Sequence, residues 1–95
     1  MFIVLLTYKA DLAELDRHLA AHRDWLNAGV ASGRLMVAGR KVPRTGGALL
    51  VRAASRDEAA AWASTDPFAI AGLADYELIE VDATVIAPGL EAIAQ

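Results

Sequence analysis

The chain has 95 residues, 9 of them basic and 12 acidic, for a formal net charge of −3, and apolar side chains make up 56% of it. That share exceeds what one small domain normally carries, which excludes intrinsic disorder, and the length leaves room for a single domain over residues 1–95. With no cysteine there is no disulfide, thiol nucleophile or Cys-ligated metal, which fits a reducing cytoplasm, and the acidic balance argues against nucleic acid as a partner.

Phe2-Ile-Val-Leu-Leu-Thr-Tyr8 has the β-branched, aromatic and aliphatic content of a first strand. Its strongly apolar stretch, Phe2 to Leu6, is far shorter than a membrane span and lacks the flanks of a signal peptide, so no membrane association is expected. From Asp11 the pattern turns helical: Leu12, Leu15, Leu19, Leu26 and Val30 fall on one face of a long helix stopped near Gly33. Leu35–Ala38 reads as a second strand, residues 40–47 as a loop punctuated by Pro43 and Gly46-Gly47, and residues 48–53 as a third strand.

Ser55 and Glu58 form a capping box that opens a second helix to about Ser64. Asp66-Pro67 restarts a short helical turn, with Asp66 as N-cap and Pro67 at the first helical position, and Gly72 ends it. Tyr76 to Ala87 alternates apolar and polar residues as a long fourth strand, and Pro88-Gly89 leads into a tail over 88–95.

The order β-α-β-β-α-β predicts an α+β, ferredoxin-like fold: a four-stranded antiparallel sheet with both helices on one face. The first and third strands are apolar at odd and even positions alike, so one apolar set points away from the helices. A second copy of the chain, sheet against sheet, is the expected cover, making the protein a homodimer.

His18 and His22 are the only histidines. Their i, i+4 spacing could suit a metal, but no H-E-x-x-H pattern or third ligand accompanies them, and no metal is expected. His22 falls on the inward stripe, with His18 at its edge. His22 is therefore either a satisfied core or interface histidine or a poised acid–base, in which case a carboxylate would orient it and stabilise its charged form. Asp66 is the candidate carboxylate, with capping of its own helix as the competing role.

Arg40, Lys41 and Arg44 lie in a loop without an acid, either as a solvated loop or as a cationic hold for a carboxylate or phenolate. Trp25, Trp62, Phe68 and Tyr76 belong to the core or to a pocket wall, and Phe68 is assigned to substrate contact. Neither a P-loop nor a G-x-G-x-x-G pattern occurs, so no nucleotide cofactor is expected.

The strand FIVLLTY at 2–8, H-R-D-W-L from His22, A-G-R at 38–40, W-A-S-T-D-P-F at 62–68, A-G at 71–72 and Y-E-L-I-E at 76–80 together resemble the YCII-related domain family of the dimeric α/β-barrel superfamily. That resemblance implies the ferredoxin-like dimer and a His–Asp pair in a pocket at His22 and Asp66. It points to a small cofactor-independent enzyme of lyase or isomerase type. Such an enzyme would act on a small anionic cyclic or aromatic molecule anchored by Arg40, Lys41 or Arg44. A non-catalytic homodimeric module that binds a small molecule is the alternative.

Overall fold

The computed structural model describes residues 1–94. In chain order the elements are β1 (Phe2–Tyr8), α1 (Leu12–Arg17), α2 (Leu19–Ala31), β2 (Leu35–Arg40), β3 (Gly46–Val51), α3 (Arg56–Ala63), α4 (Pro67–Ile70), β4 (Ala74–Glu80) and a 3-10 turn, Glu91–Ala94. The strands form one antiparallel sheet in the order β2-β3-β1-β4. This is the expected ferredoxin-like arrangement.

Alternation along β1 divides the sheet into two faces. Phe2, Val4 and Leu6 are buried together with Leu49 and Val51 of β3, Leu35 of β2, Leu15 of α1, Ala59 of α3 and Phe68 of α4. On the opposite face Ile3 pairs with both Leu50 and Ile79, and Leu50 with Val37. Val37 remains 59% exposed and Ile79 38%. At the other end of that face Thr7 pairs with Asp75 and Leu5 with Glu77, so its apolar part is concentrated at one end.

Three boundaries depart from the pattern-based reading. The long first helix is broken at His18, whose N–H bonds to Leu15 O at 3.0 Å in a tighter turn than the α-helical repeat. The break changes the helical phase, and Leu12 and Val30, both expected on the buried stripe, are exposed. Gly46 and Gly47 belong to β3 instead of the loop, which shortens to residues 41–45.

The third departure is at the other edge. β4 starts at Ala74 and stops at Glu80, so the alternating residues beyond it are not strand. Phe2 pairs with Glu80, and reciprocal bonds of 2.9 Å between Met1 and Val81 close the ladder. Past Val81 the chain takes no part in the ladder. Val85 is consequently 95% exposed. No helix among the described residues is long and apolar enough to cross a membrane.

Candidate active site

Asp66 is the N-cap of α4, and its Oδ1 accepts the backbone N–H of Phe68 at 3.0 Å. The same oxygen accepts from Nδ1 of His22 at 2.7 Å, and Oδ2 accepts the hydroxyl of Tyr76 at 2.6 Å. Capping and histidine pairing, which compete in the sequence, share one oxygen here. Asp66 is fully buried, and all three partners are donors, which is the arrangement that satisfies a carboxylate removed from water. Burial, and then the bond to Asp66, push the Tyr76 phenol far above its ordinary range, so it remains a protonated donor.

The His22 imidazole lies flat on Phe68, with ring centroids 4.1 Å apart and planes at 10°. Its other flank faces Trp25 at 6.0 Å. Trp25 in turn stacks on Trp62 at 4.1 Å and donates its indole N–H to Thr65 at 2.9 Å. Ring orientation is thus set by packing on one axis and by Asp66 on another. With Nδ1 donating to a carboxylate, the neutral ring must carry its lone pair on Nε2. The side chain is 12% exposed, and that exposure opens onto a cavity of about 310 Å³ between α2 and the sheet.

Leu6, Leu19, Leu26 and Leu49 give the cavity apolar walls; Tyr8, His22, Arg23 and Arg40 supply its polar side chains. Arg40 is therefore the one member of the expected basic cluster that reaches the cavity. Lys41 instead donates to the Thr7 hydroxyl at 3.2 Å, and Arg44 pairs with Asp16 at 2.8 Å, which holds it firmly charged. Phe68, expected to contact substrate, is fully buried behind the imidazole and does not line the cavity.

His18 faces Glu14 at 3.7 Å, away from the His22–Asp66 pair. No group of three His, Cys, Asp or Glu side chains placed to hold a metal occurs among the described residues. Pattern analysis assigns Tyr76 to the core or a pocket wall without its bond to Asp66, and does not single out Tyr8 or Arg23. Tyr76 had only its place on an apolar strand to mark it. Tyr8 ends the first strand and Arg23 lies within the first long helical pattern, but nothing in their spacing shows that they converge on a cavity.

The family model for the YCII-related domain matches residues 1–82. Comparison with curated proteins finds no match. Among solved structures the chain is similar to 5-chloro-2-hydroxyhydroquinone dehydrochlorinase from Burkholderia phenoliruptrix AC1100 in complex with 2,5-dihydroxybenzoquinone. That likeness covers 85% of this chain and 93% of that one, at 24% identity and a TM-score of 0.67. At that identity the likeness establishes a common fold.

Proposed function

The chain belongs to the YCII-related domain family, and on that premise we propose that it is a small cofactor-independent enzyme of lyase or isomerase type. It moves a proton on a small anionic cyclic or aromatic molecule. The observation that carries this reading is the 2.7 Å bond from His22 Nδ1 to a fully buried carboxylate, which leaves Nε2 to the cavity. Nε2 takes the proton, and Asp66 stabilises the imidazolium that forms and keeps the ring in one tautomer.

The cavity supports the substrate class. Its volume of about 310 Å³ is at the small end of ligand pockets and suits one substituted ring, with leucines against the ring faces. Arg40 and Arg23 hold the anionic end, Arg40 as a bidentate donor at the end of β2. Lys41 and Arg44 shape the loop next to it through Thr7 and Asp16. The 2,5-dihydroxybenzoquinone bound by the dehydrochlorinase of the same fold is a one-ring molecule of this kind.

The working unit is a homodimer in the cytoplasm, formed through Ile3, Val37, Leu50 and Ile79 on the sheet face opposite the helices. A non-catalytic binding module remains the second reading, because Asp66 caps α4 and accepts from Tyr76 whatever His22 does.

Deuterium uptake from solvent by one-ring ketones, lactones and halogenated phenols, followed with wild type and His22→Gln, tests the proposal. Exchange or turnover by wild type that His22→Gln loses, with its melting temperature nearly unchanged, is the expected result. Equal behaviour of the two proteins, or a collapse of stability with unaltered ligand binding, would overturn it.

A further inference from the structure

Tyr8 stands at the end of β1, on the same face as Phe2, Val4 and Leu6, and lines the cavity beside His22. Phe68 fixes both rings: it meets Tyr8 edge-on at 6.0 Å and His22 face-on at 4.1 Å. Arg44 lies over the Tyr8 ring with Cζ 6.0 Å from its centroid, and Asp16 anchors its guanidinium at 2.8 Å. The loop that carries Arg44 is tied to Tyr8 itself, whose backbone N–H bonds to Thr45 O at 2.9 Å.

We infer that Tyr8 is a second catalytic residue, the hydrogen-bond donor to the oxyanion that forms when His22 removes a proton. The inference rests on the reading of His22 as the base. In the step, a proton passes from a ring carbon of the substrate to Nε2. The C–H electron pair becomes the C=C bond of an enolate, and the carbonyl π pair moves onto oxygen. The Tyr8 O–H donates to that oxygen, and the adjacent fixed cation strengthens the donor. The proton then returns from Nε2 to another carbon of the conjugated system, or an anionic leaving group departs with its electron pair and the Nε2 proton passes to water. No redox partner enters.

This gives the basic loop a role distinct from substrate anchoring. Arg44 does not line the cavity, and it acts on the chemistry through the phenol that does. An oxyanion donor also narrows the substrate class to rings in which the acidic C–H is conjugated with a carbonyl.

4-Nitrophenol probes the site, since its phenolate carries negative charge on a ring oxygen and its visible absorption reports ionisation in the bound state. Neutral nitrobenzene is the control of the same ring size. Wild type should bind the phenolate, whereas Tyr8→Phe weakens it about tenfold or more and leaves nitrobenzene binding unchanged. No phenolate binding by wild type, equal affinity in Tyr8→Phe, or an equal loss for both probes would overturn the assignment. The failures separate. Deuterium exchange that ignores Tyr8→Phe sinks this inference alone, and Tyr8-dependent phenolate binding without any exchange sinks the reading of His22 as the base.

Discussion

The hydroxyl of Tyr76 donates to Oδ2 of Asp66 at 2.6 Å, on the oxygen that His22 leaves unused. The strand β4 thus braces a carboxylate that α4 places and α2 employs. Tyr76→Phe removes the brace and strands a buried carboxylate oxygen, at a cost of about 1–2 kcal/mol in denaturant unfolding. A pH signature accompanies it. Because folding raises the Tyr76 pKa, its stabilisation is complete below the ordinary phenol value of about 10 and is lost as pH rises beyond it. The wild type should therefore lose stability above about pH 10 more steeply than Tyr76→Phe, measured by unfolding across that range.

Asp66 can be altered so that its structural and chemical roles come apart. Oδ1 accepts both the Phe68 N–H and His22 Nδ1, and an Asn amide oxygen can keep both bonds. Asp66→Asn presents its amide NH₂ to Tyr76, whose hydroxyl can turn to accept. The expected cost is about 1 kcal/mol, with loss of the charge that supports an imidazolium. Asp66→Ala abandons three donors, one buried and two partly buried, and the cap at once, and should cost about 3 kcal/mol or more. Thermal melts rank the two variants, and proton exchange into a substrate should be lost in both.

The Ser55 N-cap, the Asp-Pro start of α4 and the β-rich run of β1 are local signals, and each appears at its predicted position, although the Glu58 carboxylate accepts the N–H of Ala54 and not the Ser55 N–H that a complete capping box requires. What locality cannot carry is the partner. Alternation beyond Glu80 reads as strand, yet a strand lasts only as long as its neighbour, and β1 begins at Phe2. The same holds for the site. His22 and Asp66 each carry a mark in the sequence, whereas Tyr76 and Tyr8 acquire their roles from contacts with residues 10 and 36 positions away.

Gly46 is where a loop signal conceals a packing constraint. A Cβ built on it would lie 1.8 Å from the carbonyl oxygen of Leu6 and 2.8 Å from its carbon, both backbone atoms of the adjacent strand. Gly46→Ala must separate β1 from β3 at the cavity end of the sheet, costing about 2–3 kcal/mol or preventing folding. Gly39→Ala, in the neighbouring strand with nothing within 4 Å of its Cβ, should melt within a few degrees of wild type. Similar melting temperatures for the two would contradict the tight β1–β3 contact.

The apolar end of the open sheet face tests the proposed assembly. Leu50 is central there, opposite Ile3 on one side and Val37 on the other, and Ile3 continues the row to Ile79. A charge at this position would be desolvated in a sheet-to-sheet dimer, because its cross-strand neighbours are Ile3 and Val37. In a monomer, the same side chain would reach water from a half-buried site. Leu50→Glu should therefore shift sedimentation from dimer to monomer at micromolar concentration while the circular dichroism of the sheet persists. If Leu50→Glu sediments as a dimer, the interface lies elsewhere, and a monomeric wild type would remove the assembly from the proposal altogether.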